Sequence, residues 1–282
     1  MIGCIGIVSA GAMGSAVGAS LAGAGPRVVV ALDGRSDRTV GRAAAAGLAD
    51  VGSLDRLVAE SELVVSIVPP AAALEVAAAI VEAIARNDRR PTVLDANAIS
   101  PARAGEVARL VERAGARYVD GGIVGGPPRR GGRTDLVLSG PGADALASEL
   151  TTDELVATVV GDEETAASAL KMCHAAWTKG TSALLIAIRS LARHHGLDGA
   201  LGELWGRSQP ELWARSEHEG AVAGRAWRWV DEMAEIARTF EDAGLPGGAA
   251  RAAGALYGRL SGFKDVAGAP PLDEVIAAVF TP

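Results

Sequence analysis

With 282 residues, 49% hydrophobic and 22% charged, the chain can bury a large core and form two domains, which excludes a disordered protein. Its formal net charge of −7 excludes a broad nucleic-acid or anionic-membrane surface, because phosphate backbones are bound by clustered basic charge. The longest apolar stretch, 63–85, is broken by Pro69, Pro70, Glu75 and Glu82 and is no membrane span; with no basic leader ahead of it, the protein is expected to be cytoplasmic.

Ile2, Ile5, Ile7 and Val8 form an uncharged run, as a strand buried on both faces of a parallel sheet requires. It leads through Ser9-Ala10-Gly11-Ala12-Met13-Gly14 into a small-residue helix reaching Leu21. This is the G-x-G-x-x-G turn of dinucleotide sites, with serine where the first glycine belongs. The third glycine lets helix and strand approach, and the free N–H groups at the positive helix end face a pyrophosphate. Ser9 must therefore adopt the angles of the turn, while Gly6 lets the first strand approach its neighbours.

Further strands are expected at 27–32, 63–68, 92–94 and 117–120, alternating with alanine-rich helices that begin near Ser36, Ser53, Ala71 and Pro101, the last capped by Ser100. Runs at 134–139 and 155–160 extend the sheet. This alternation predicts an α/β Rossmann-type doubly wound parallel sheet over 1–162. The second strand should end at the residue that meets the adenine ribose. Asp33 there argues for NAD, because a carboxylate accepts from both ribose hydroxyls and repels a 2′-phosphate. Gly34-Arg35-Ser36 argues for NADP, since a guanidinium clamps the phosphate while the hydroxyl and the next helix N-terminus add donors. Gly34 is an extra residue able to carry Asp33 away, and NADP is favoured, with NAD as the alternative.

Past Gly161 the composition changes. A helical pattern starts at Asp162-Glu163-Glu164 and runs to His195, with Gly196 as its stop, and a further helix spans 225–243 before Gly244 and Pro246. An all-helical second domain over 163–282 is predicted. It holds all five tryptophans, read as core and subunit interface. Substrate would meet cofactor between the halves. Cys4 and Cys173 read as buried reduced thiols, and His194-His195 as a helix C-terminus favouring cations. No metal-ligand motif is present, so no metal is expected.

Four blocks in order resemble the β-hydroxyacid dehydrogenase and 6-phosphogluconate dehydrogenase superfamily: Gly6-Ile7-Val8-Ser9-Ala10-Gly11-Ala12-Met13-Gly14, Val64-Val65-Ser66-Ile67-Val68-Pro69-Pro70, Asp95-Ala96-Asn97-Ala98-Ile99-Ser100-Pro101 and Asp120-Gly121-Gly122-Ile123-Val124-Gly125-Gly126. A later run, Ala169-Leu170-Lys171-Met172-Cys173-His174-Ala175-Ala176-Trp177-Thr178-Lys179-Gly180, is similar to a less characterised branch with its own C-terminal helical domain. The resemblance implies that the first block cradles the dinucleotide, that Val68 and Pro69 lie along it, that Asn97 approaches the nicotinamide or substrate, and that Gly122, Ile123, Val124 and Gly125 help bind substrate. It also implies a homodimer joined through the helical domains.

Lys171 falls where the superfamily places its catalytic lysine. An ammonium stabilises and protonates the oxygen of a carbonyl receiving hydride, and a neutral amine takes the proton back in oxidation, which requires its ordinary pKa of about 10.4 to fall. Two positions depart from the family. Ala175 stands for an asparagine, and Val124 for a serine, that hold a hydroxyacid substrate; His174 and Thr178, three and seven residues beyond Lys171, are the candidate replacement donors. Arg129 and Arg130 could meet an anionic substrate. The expected function is an NADP-preferring oxidoreductase moving hydride to or from a small carbonyl or alcohol. The alternatives are an imine reductase, which needs no carboxylate clamp, and a non-catalytic dinucleotide-binding module.

Overall fold

The computed structural model describes residues 1–264, 266 and 268–281. Its contacts separate two units, Met1–Met172 and Cys173–Pro282, the division falling inside one continuous helix. In the first unit the chain runs through β1 (Cys4–Val8), α1 (Ala12–Gly23), β2 (Arg27–Val30), α2 (Asp37–Ala45), β3 (Ala49–Asp50), α3 (Leu54–Glu60), β4 (Leu63–Ser66), α4 (Ala73–Asn87) and β5 (Thr92–Asp95). It continues through α5 (Pro101–Arg113), β6 (Arg117–Val124), β7 (Thr134–Ser139), α6 (Ala143–Leu150), β8 (Leu155–Gly161) and the start of α7 (Ala166–His194).

The strands form one sheet in the order β3-β2-β1-β4-β5-β6-β7-β8. All neighbours are parallel except β6 and β7. The chain reverses its direction of winding between β1 and β4, the place where open α/β sheets leave a crevice beyond the carboxyl ends of their strands. Alternate side chains feed two apolar cores, one with Ile5, Ile7, Leu21, Leu63, Leu94 and Leu138, the other with Val29, Leu57, Val64, Ile80 and Val93. Burial on both faces explains why these strands read as unbroken apolar runs.

Several details differ from the sequence expectation. β6 extends past 120 to Val124 and returns antiparallel as β7, because the connection between them is too short for a helical crossover. The two-residue strand β3 has no periodicity to betray it. α4 is preceded by a tight 3₁₀ turn, Pro70–Ala72, since two successive prolines remove backbone donors. α7 starts at Ala166 rather than Asp162, because the amides of Ala167 and Ser168 find their acceptors on Ser139 and Asp120 of the sheet.

The second unit is helical: the rest of α7, then α8 (Asp198–Ser208), α9 (Pro210–Glu217), α10 (Ala223–Asp242), α11 (Gly248–Arg259) and α12 (Leu272–Val279). Arg189, 4% exposed, grips Asp198 with two hydrogen bonds of 2.6 and 3.0 Å, donates to Ser216 Oγ at 2.9 Å, and lies 4.1 Å from the Trp213 ring. Trp229 packs edge-on against buried Tyr257 at 5.1 Å, whereas Trp177 is exposed. No described helix is long and apolar enough to cross a membrane. The cysteines depart from expectation: Cys4 is half-buried and Cys173 is exposed, because position 173 falls on an outer face of α7.

Candidate functional site

At the β1–α1 turn Ser9 sits at φ +81°, a left-handed conformation that serine adopts only when its surroundings impose it. The Ser15 hydroxyl donates to Ala10 O at 2.8 Å, and its amide to Gly11 O at 2.9 Å, locking the turn. Gly14 is required by contact, since a Cβ there would stand 2.1 Å from Ser9 O. Gly11 caps α1 with extended backbone, without a side-chain cap bond and with no acid in the first turn. The half-buried Gly11, Ala12 and Met13 therefore present an uncapped, positive helix end. Gly6 has a packing role: a Cβ there would fall 2.5 Å from both Leu57 Cδ2 on α3 and Ser61 Oγ just past its end.

After β2 the chain turns through Gly34 at φ +71°, with Arg35 N donating to Leu32 O at 3.0 Å. Asp33, Arg35 and Ser36 are all exposed. The Asp33 carboxylate leans on Gly52, its oxygens 3.5 Å from where a Cβ at 52 would be. Ser36 occupies the cap position of α2 but its hydroxyl bonds Thr39 Oγ1 at 3.2 Å and caps no amide.

The ends of β4 and β5 are clamped by Asn97, which is 2% exposed. Its Oδ1 accepts from Val68 N at 2.6 Å, its Nδ2 donates to Ser66 Oγ at 3.1 Å, and its own amide donates to Asp95 Oδ1 at 2.9 Å. Its side chain ties two strand ends together, fixing the course of Val68 and the exposed Pro69.

β6 and α7 carry the remaining candidates of this unit. Gly122 lets the helix lie directly on the strand, because a Cβ would stand 2.9 Å from Lys171 Cβ and 3.2 Å from Ala167 O. Lys171 Nζ then donates to Ile123 O at 2.6 Å. Val124 ends the strand half-buried, and Gly125, at φ +111°, opens an exposed loop closed by Thr134 Oγ1 donating to Gly126 O at 2.7 Å. Arg129 and Arg130 are exposed on this loop and line a groove of about 560 Å³ with Ala16, Ser20, Asp153 and Glu154.

Two buried acids underlie these elements. Asp95 and Asp120 pair in register on β5 and β6. Burial pushes the Asp95 carboxyl up to about 7, with the Asp120 charge adding to it and the Asn97 amide opposing. Burial likewise raises Asp120 to about 6 against hydrogen bonds from Ser168, Ser139 and Tyr118. Both acids lie within the family-like blocks, but spacing alone gives them no role; the one signal is a charge at the end of a buried strand.

His174 and Thr178 belong to the second unit. His174 is exposed, and the Thr178 hydroxyl donates to His174 O at 3.0 Å, which leaves it only lone pairs to offer. Ala175 is buried. No three His, Cys, Asp or Glu among the described residues are grouped to hold a metal.

Residues 2–150 match the family described as the NAD binding domain of 6-phosphogluconate dehydrogenase. The chain belongs to that family. Residues 192–260 of this 6-phosphogluconate dehydrogenase-like chain also match a domain of unknown function, DUF1932. A 3-hydroxyisobutyrate dehydrogenase from Mycobacterium tuberculosis with L-serine is 20% identical, with TM-score 0.71, covering 99% of this chain and all (100%) of its own. A conserved protein of unknown function, described as structurally similar to 3-hydroxyacid dehydrogenases, is 25% identical with TM-score 0.66 over 92% of this chain and 97% of its own. A reductive aminase from Aspergillus terreus in complex with NADPH and ethyl levulinate is 19% identical with TM-score 0.59, over 98% and 99%. No curated protein matches in sequence. The fold is thus shared along nearly the whole length.

The uncapped N-terminus of α1 and the cradle that a Cβ at Gly14 would fill suit a dinucleotide pyrophosphate, so the residues present fit a nicotinamide cofactor.

Proposed function

We propose that the chain is an NADP-preferring oxidoreductase acting on a small carbonyl or alcohol, with Lys171 as general acid and base. The observation that carries this reading is the 2.6 Å bond from Lys171 Nζ to Ile123 O. It fixes an amine beside the carboxyl end of β6, on the side of the sheet where such folds bind ligands. A bound nicotinamide supplies or accepts the hydride. The Ile123 carbonyl holds the ammonium in place; the charged form protonates a substrate oxygen, and as a neutral amine the same nitrogen accepts the substrate's proton.

Gly11 to Gly14 would hold the pyrophosphate, with Val68 and Pro69 beside the dinucleotide. Arg35 and Ser36 would meet a 2′-phosphate, a preference supported by the exposed Arg35 and by an Asp33 carboxylate turned toward Gly52. Gly122 to Gly125 would border the substrate. Lys171→Ala is expected to lower turnover at least about 100-fold while cofactor affinity stays within twofold. Full turnover in that variant overturns the assignment.

A second reading, imine reduction, is favoured by Val124 and Ala175, which offer no polar group to a carboxylate. NADPH oxidation with ketoacids against cyclic imines separates the two, and turnover with imines alone defeats the carbonyl reading.

Two copies would pair along α7. Trp177, Leu184 and Leu191 are 68, 58 and 59% exposed at spacings of seven, with Leu170 one heptad earlier at 44%. Sedimentation of Leu184→Glu should show a monomer where the parent is a dimer; two identical profiles refute the pairing surface.

A further inference from the structure

We infer that Asp120 is the positioning residue for Lys171, acting through the first turn of α7. The inference deepens the reading of Lys171 as proton carrier and rests on it for its meaning in catalysis.

A helix begins with orphan amides that need acceptors. In α7 the amides of residues 166 to 169 each have a specific acceptor. Ala166 N donates to Glu163 O at 3.1 Å and Ala169 N to Thr165 O at 3.0 Å, both local bonds. The two in between reach to distant strands: Ala167 N donates to Ser139 Oγ at 2.9 Å, and Ser168 N to Asp120 Oδ2 at 2.7 Å. The Ser168 hydroxyl adds a 2.6 Å bond to Asp120 Oδ1, so the carboxylate grips one residue through both oxygens. Ser139 Oγ completes the loop, donating to Asp120 Oδ2 at 3.4 Å.

This grip decides where the helix starts and how it is rotated. Asp120 is 1% exposed and sits two residues before Gly122 on β6, the strand that receives the helix. Ser168 lies three residues before Lys171, nearly one turn, and so on about the same helix face. The strand therefore holds the helix at two points, Asp120 on Ser168 and Ile123 O on Lys171 Nζ, with the missing side chain of Gly122 between them. Charge-assisted bonds of this length resist a sliding or turning of the helix that would carry Nζ off its carbonyl. A buried anion at a helix N-terminus also opposes the partial positive charge of its amides, which favours the observed register.

The test uses the full-length protein. The chain has three lysines, Lys171, Lys179 and Lys264, so trace acylation with peptide mapping reads each amine against the other two. Asp120→Asn keeps the shape but weakens both bonds to Ser168. Labelling of Lys171 should rise about tenfold relative to Lys179 and Lys264, and amide exchange at 167–169 should accelerate by a similar factor. Lys179 and Lys264 lie in the second unit, so general destabilisation of the first is read by amide exchange in β1 and β4; exchange there that rises as much as at 167–169 overturns the inference. If Asp120→Asn does not fold, Ser168→Ala removes only the hydroxyl bond and should raise Lys171 labelling about threefold. Lys171 labelling and exchange at 167–169 within twofold of the parent overturn the inference. Turnover is read separately. A labelling shift in Asp120→Asn with full activity in Lys171→Ala keeps the positioning role and defeats the catalytic one. Unchanged labelling with an inactive Lys171→Ala does the reverse.

Discussion

Replacing Asp95 with asparagine should remove a pH dependence from the stability of the first unit. Asp95 is 2% exposed, and burial, the largest cause, raises its carboxyl from 3.8 to about 7. Between those values the folded chain binds a proton that the unfolded chain has lost. Stability from this group is therefore complete below the unfolded value and is lost as pH rises through the folded one. At about 1.4 kcal/mol per unit, ionising Asp95 in place costs on the order of 4 kcal/mol, of which roughly 3 kcal/mol falls between pH 5 and pH 8. Asparagine retains an oxygen to accept from Asn97 N and cannot ionise. Thermal unfolding at the two pH values should show the parent losing about 8 °C more than Asp95→Asn on going from pH 5 to pH 8. The comparison is of differences, so the titration of Asp120, common to both proteins, largely cancels. A parent that loses no more than the variant refutes the argument from burial.

Gly14→Ala should abolish cofactor binding, because its Cβ would stand 2.1 Å from Ser9 O and the turn would have to open; fluorescence titration with NADPH and NADH showing parental affinity would contradict this. Asp198→Asn should destabilise the second unit by about 3 kcal/mol in chemical denaturation, since it strips a bidentate partner from the buried Arg189 guanidinium. The same pairing, with Arg189 first and Arg193 after it, holds the Asp198 carboxyl below the usual range. Its stabilisation is present above the ordinary carboxylate value and is lost as pH falls through the folded value, opposite in sign to Asp95.

The first half of the fold was legible because its cues are local. Ser100 and Pro101 announce α5, and the uncharged run before Ser9 can only be a buried strand. The start of α7 was not, because Asp162, Glu163 and Glu164 look like the acidic first turn of a helix, while the acceptors that set its true start, Ser139 and Asp120, lie 28 and 48 residues away from their donors. Asn97 was legible as a polar group near the cofactor blocks, but not its clamp on Val68, which depends on the pairing of β4 with β5. Gly122 was visible as a small residue; that it makes room for Lys171 required the helix to be laid on the strand. Cys173 was misread for want of a face, since neighbouring Met172 is fully buried and position 173 points outward.

The exposed residues spaced by seven along α7 carry a geometric consequence. Seven residues of a straight α-helix fall about 20° short of two full turns, so the line from Trp177 to Leu191 winds about 40° around the cylinder. A straight rod laid parallel to α7 would lose the row before its end. Only an element that crosses at a shallow angle of about 20° and coils left-handedly can follow it.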